Sequence, residues 1–176
     1  MSEQLEKKVS VATVWLDGCS GCHMSLLDMD ERLVELANSI DIVYSPLVDT
    51  KIFPEQVDLT LVEGSVSSED DLEKIKIIRA RTRLLIAMGD CAVTGNVPSM
   101  RNPFGYEKIL QHIYLPHAPR EIVPPLLPRV LPVHQVVAVD VFLPGCPPPA
   151  DAIYFALTEL LAGRMPEMSQ YTRFGK

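Results

Sequence analysis

The sequence predicts an α/β fold in which about five parallel strands make one doubly wound sheet with helices on both faces. Short apolar runs alternate along the chain with stretches of helical periodicity. Several of those runs end in a glycine-bearing turn, at Gly18 and Gly21, Gly64, Gly89 and Gly145. At 176 residues the chain is long enough for one domain that buries roughly two thirds of its unfolded surface. No cross-link is needed to hold such a core together.

The elements follow in order. Residues 9–16 alternate as a first strand, and 25–37 form a first helix with Leu26, Met29, Leu33 and Leu36 on one face. Residues 41–46 are a second strand, and 59–62 a third that runs into Glu63-Gly64-Ser65. The acidic group Ser67-Ser68-Glu69-Asp70-Asp71 opens a helix whose buried stripe is Leu72, Ile75 and Ile78. Arg79, Arg81 and Arg83 gather at its far end, so both ends carry the charge the helix dipole favours. Residues 84–88 are the fourth strand and meet Gly89-Asp90-Cys91, and a helix is expected over 106–115. Ten of the fifteen prolines fall from Pro116 to Pro149. They predict an irregular, surface-hugging connection over about 116–135, with prolines from Pro116 to Pro132, that a partner chain would hold down. Residues 136–143 are the fifth strand, ending in Pro144-Gly145-Cys146-Pro147-Pro148-Pro149. The last helix, 150–162, packs Ile153, Ala156, Leu157, Leu160 and Leu161 and stops at Gly163. Five strands alternating with helices give the flavodoxin-like order, as a single domain over 1–176.

Composition narrows the function. A formal charge of −7 argues against nucleic acid as a partner. No run approaches the ~20 apolar residues of a membrane span. The start, Met1-Ser2-Glu3-Gln4-Leu5-Glu6-Lys7-Lys8, has neither an apolar leader nor twin arginines, so a cytoplasmic protein is expected.

In that reducing compartment the four cysteines read as metal or redox ligands rather than as disulfides. Cys19 and Cys22 follow the first strand in the turn Asp17-Gly18-Cys19-Ser20-Gly21-Cys22-His23, Cys91 follows the fourth and Cys146 the fifth. All four then lie past the carboxyl ends of parallel strands, the edge where open α/β sheets bind ligands. Four thiolates hold either zinc in a tetrahedron or an iron–sulfur cube. Structural zinc usually takes two short pairs, whereas here one pair is joined by two isolated cysteines, which favours the cube.

The blocks Cys19-Ser20-Gly21-Cys22, Glu63-Gly64, Gly89-Asp90-Cys91 with Gly95, and Pro144-Gly145-Cys146-Pro147-Pro148 together resemble the small, electron-transferring subunit of NiFe hydrogenases. The extended turn through Ser25 looks most like the soluble, NAD-reducing branch. The resemblance covers nearly the whole chain and implies that Cys19, Cys22, Cys91 and Cys146 ligate one proximal 4Fe-4S cluster. It also implies a NiFe centre housed in a separate large subunit, a flavin-containing diaphorase pair that reduces NAD, and no hydrogen-activating centre in this chain. Longer relatives carry further clusters, whereas no cysteine follows Cys146 here. The paralogous quinone-oxidoreductase subunit of respiratory complex I is similar in fold but has two adjacent cysteines where this chain has Ser20-Gly21 between them, and that spacing favours hydrogenase.

The same resemblance suggests that Glu63 faces the large subunit and helps move protons; the alternatives are a helix cap or an interface salt bridge. His23 is expected either to donate to a cluster sulfur or to support the site from behind it. His112, His117 and His134 show no ligand spacing, and Trp15 is expected in the core, with shielding of the cluster from water or contact with a flavin as the alternatives. A flavodoxin-like fold admits FMN, but no motif supports it, because Gly18 to Gly21 is committed to the cluster.

Overall fold

The computed structural model describes residues 8–114 and 123–171. In chain order the elements are β1 (Val9–Trp15), α1 (Gly21–Leu27), α2 (Glu31–Leu36), β2 (Ile40–Tyr44), β3 (Val57–Glu63), β4 (Val66–Ser68), α3 (Glu69–Arg81), β5 (Thr82–Met88), α4 (Asp90–Thr94), α5 (Asn96–Ser99), α6 (Tyr106–Tyr114), β6 (Leu126–Leu131), β7 (Val141–Leu143) and α7 (Ala150–Leu161). Five strands form a parallel sheet in the order β2-β1-β3-β5-β7. With β4 and β6 set aside, that is the flavodoxin-like order, and its direction reverses between β1 and β3.

The period-2 alternation of the strands divides the core between the two faces. Val11, Leu59, Leu61, Ile86, Met88 and Leu143 lie against Leu26 and Met29 near α1 and against Ile153, Ala156 and Leu157 of α7. Ala12, Val14, Val62, Leu85 and Ala87 lie against Ile75 and Ile78 of α3. Each of those isoleucines, fully buried, contributes about 1.5–3 kcal/mol. A capping box starts α3: Asp71 N–H donates to Ser68 Oγ at 3.1 Å, and Ser68 N–H donates to the Asp71 carboxylate at 3.0 Å.

The sheet's lateral register positions everything that follows. Trp15 pairs with Glu63, Glu63 with Met88, and Met88 with Leu143, so β1, β3, β5 and β7 end in one row. The segments that leave this row carry all four cysteines, Cys19 and Cys146 in loops, Cys22 in the first turn of α1 and Cys91 in α4.

Three expectations need correction. The helix expected over 25–37 begins at Gly21 and is two helices, because Asp30 adopts φ 50 and leaves the helical region, as a short polar side chain that competes for backbone bonds does. The strand expected over 136–143 is only Val141–Leu143: the carboxylate of Asp140 takes the Leu85 N–H at 2.8 Å where a strand carbonyl would, and a 3₁₀ turn at Val133–Gln135 precedes it. The proline-rich connection is not irregular throughout. Its second half, β6, pairs antiparallel with β4 in a two-stranded ribbon whose edge tolerates Pro128. The chain itself secures this ribbon: Arg101 donates to Leu127 O and Ser67 O, and Asn102 bonds both the N–H and the carbonyl of Val130. Pro116, His117 and the N-terminal leader reading lie outside the described residues.

A candidate iron–sulfur site at the carboxyl edge

The β1–α1 turn is built against the end of β3. Leu16 N–H donates to Glu63 O at 2.9 Å, and Asp17 and Ser65 exchange backbone hydrogen bonds of 3.1 and 2.8 Å. The approach is close enough that a Cβ on Gly64, whose φ is +92, would stand 2.8 Å from the Leu16 carbonyl carbon. Trp15 is 45% exposed rather than in the core, and its indole N–H donates to Gly18 O at 3.0 Å across the turn.

α1 lacks a cap of its own. Its N-cap residue, Ser20, sits at φ 63 and makes no side-chain bond to the helix. Glu63 supplies the missing acceptor from another strand: its Oε2 takes the His23 backbone N–H at 2.9 Å and also meets His23 Nδ1. A carboxylate at this position satisfies a first-turn donor and complements the helix dipole. Glu63 and His23 are 1% and 2% exposed, and His23 Nε2 is buried without a hydrogen-bond partner among the described residues.

The other two loops are zipped to each other. Gly89 N–H donates to Leu143 O at 2.8 Å, Asp90 N–H to Gly145 O at 2.9 Å, and Gly145 N–H to Asp90 Oδ1 at 2.7 Å. Ser25 Oγ donates to Pro148 O, tying the Cys146 loop back to α1. Gly89 makes the join possible: a Cβ there would lie 2.2 Å from Cys22 Sγ, and its φ is +86. Only glycine leaves room for that sulfur.

Cys22 is buried, Cys91 is partly so, and Cys19 and Cys146 are exposed. Burial pushes the Cys22 thiol well above its ordinary range, and the negative charges of Glu63, Cys91, Cys19 and Cys146 add to the rise. Cys91 is pushed up to about 11, first by burial and then by Cys146, Cys19, Glu63 and Asp17. Cys22 thus feels every other thiol of the set, which brings together four residues that span most of the sequence. Thiols held so far up ionise at neutral pH only against a strongly cationic group. The donor set, the glycine cradle and this electrostatic demand fit a thiolate-ligated iron–sulfur cluster.

His134 packs edge-on against Phe142, and His112 lies on α6. Sequence reasoning missed Asn96, whose side-chain N–H donates to Cys146 Sγ at 3.5 Å, and did not foresee that Asp90 pins the Cys146 loop. The signal for Asn96 was a Gly-Asn pair directly after Cys91's short helix, since asparagine tolerates the left-handed backbone there.

Residues 19–160 match the family model described as NADH ubiquinone oxidoreductase, 20 Kd subunit. The chain belongs to this family. Within the family it falls with hydrogenase subunits. It is 44% identical over 170 residues to the NAD-reducing hydrogenase HoxS subunit delta of Cupriavidus necator, covering 90% of this chain and 81% of that one. It is 38% identical to a subunit of the vhu F420-non-reducing hydrogenase of Methanocaldococcus jannaschii, over 91% of this chain and 58% of the methanogen protein. The chain thus spans little more than half of that relative. Among solved structures, the crystal structure of an NAD+-reducing [NiFe]-hydrogenase in the H2-reduced state superposes with a TM-score of 0.91 at 38% identity, covering 96% of this chain and 99% of the other. The [NiFeSe]-hydrogenase of Dm. baculatum, at 20% identity and a TM-score of 0.58, shares the fold. The two NAD-reducing hydrogenase matches make the chain an oxidoreductase subunit of the NiFe-hydrogenase kind. Among the described residues no helix is long and apolar enough to cross a membrane.

Proposed function

We propose that this family member is the electron-transferring subunit of a cytoplasmic NAD-reducing NiFe hydrogenase, holding one 4Fe-4S cluster on Cys19, Cys22, Cys91 and Cys146. The observation that carries the reading is the convergence of these thiols on the row closed by Trp15, Glu63, Met88 and Leu143. When bound, such a cluster accepts and releases single electrons. The chain's own residues hold it in place: Gly89 makes room for Cys22, Glu63 fixes α1, and Asp90 keeps the Cys146 loop against the Cys91 loop.

The hydrogen-splitting NiFe centre belongs to a large subunit, and the electrons pass on to a flavin-containing diaphorase module, giving H2 + NAD+ = H+ + NADH overall. Support for partners at this edge comes from the exposed thiols and from the exposed apolar side chains of Met24, Val97, Met100 and Phe104 on or next to the elements that carry them. Glu63, buried with His23, helps move protons away from the large subunit. The alternative of a single zinc ion needs ligands about 2.3 Å from one point. Here Cys91 and Cys146 each come from a separate segment rather than as a second short pair, which favours the larger inorganic group.

Anaerobic co-purification with iron and sulfide counts and an electron-spin spectrum after reduction test the reading. Wild-type chain should carry iron and sulfide in equal number, and Cys91→Ser should abolish hydrogen-dependent NAD reduction. A colourless protein with one zinc per chain would overturn the proposal.

A further inference from the structure

Asn96 reaches Cys146 by a route that its sequence position does not advertise. It opens α5 directly after Gly95, the left-handed residue that ends the short helix bearing Cys91. Asn96 itself sits at φ 33, a positive value uncommon outside glycine. Its backbone is pinned in that state: Ser99 Oγ donates to Asn96 O at 2.7 Å, and Ser99 N–H donates to Gly95 O at 3.1 Å. The amide is thereby carried from the Cys91 loop to the Cys146 loop, where Nδ2 stands 3.5 Å from Sγ, within range for a sulfur acceptor. Among the described residues no other side chain donates a hydrogen bond to a cysteine sulfur.

We propose that Asn96 is a positioning residue that sets the reduction potential of the site through Cys146. The inference rests on the cluster reading above. An N–H donated to a ligand thiolate withdraws negative charge from the sulfur and stabilises the reduced, more negative state of the group it ligates, so the potential rises. The couple involves one electron, with no bond made or broken and no proton moved. Cys146 is the thiol on which this donor acts; Cys22 instead lies buried against Gly89.

The test is a spin-monitored redox titration of the co-purified complex, comparing wild type with Asn96→Gly and Asn96→Asp. Glycine keeps the positive φ and removes the donor. Aspartate keeps the shape, tolerates the backbone and replaces a donor with a charge. Asn96→Gly should retain wild-type iron and sulfide and lower the reduction equilibrium constant three- to tenfold, up to about 59 mV for a one-electron couple. Asn96→Asp should lower it further. Unchanged or raised potentials in iron-loaded variants overturn the inference. So does loss of iron from both variants, which would make Asn96 a structural clamp. If one variant alone loses iron, the potential of the other decides. Wild-type complex devoid of iron and sulfide sinks the cluster reading instead, so the two failures are told apart.

Discussion

The two ends of the same parallel strands are held by opposite means. At the amino edge, a cavity of about 450 Å³ is lined by Ser10, Glu55, Asp58, Arg81 and Arg83, and its charges pair in the open: Arg81 with Glu55 at 3.0 Å and Arg83 with Asp58 at 3.5 Å. At the carboxyl edge, the loops are joined by backbone hydrogen bonds, by a buried carboxylate and by glycines with no space for a side chain. Solvated pairs can lengthen or swap partners at little cost, whereas a buried acceptor or a filled van der Waals gap permits one arrangement. The strands thus have a forgiving end and an exacting one, and the cysteines stand at the exacting one.

Substitutions at the two ends should separate widely. The largest effect is expected of Gly89→Ala. A Cβ there would overlap Cys22 Sγ at 2.2 Å and oppose a φ of +86, which alone costs about 1–3 kcal/mol. Iron per chain should collapse and the melting temperature fall. Retention of wild-type iron would show that the cradle is slack. Glu63→Gln comes next. It keeps an acceptor for the His23 N–H but removes the charge facing α1, at about 0.5–2 kcal/mol by analogy with lost caps. The cluster spectrum should persist while turnover drops at least about tenfold. An unchanged rate would leave Glu63 a purely architectural group. Arg83→Ala at the opposite edge is the smallest, within about 0.5 kcal/mol by chemical denaturation and with no change in iron content. A larger loss would mean that the amino edge is not forgiving after all.

The sequence was most readable where chemistry and periodicity coincide. Strands that end in glycine and cysteine placed the thiols on one edge, since in a parallel sheet the loops after the strands have nowhere else to go. What escaped it depends on partners remote in the chain. α4 and α5 hold five and four residues on either side of Gly95, too short for a 3.6-residue period to register. β6 was hidden by Pro128, which reads as a breaker until an edge position and the pairing with β4 excuse it. The pairing of Glu63 with His23 crosses forty residues and leaves no local trace, and the contact of Asn96 with Cys146 crosses fifty, with the Gly95-Asn96 pair as its one local sign. Trp15 was misplaced for a related reason: a tryptophan most often packs in a core, but this one is the last residue of its strand, where the sheet no longer covers it.

The cap that Glu63 provides to α1 reaches further than helix stability. Because β3 is the middle strand of five, the turn that carries Cys19 and Cys22 takes its bearings from the centre of the sheet as well as from the residues beside it. A mounting of that kind lets the charge of whatever it grips change while the grip itself stays still.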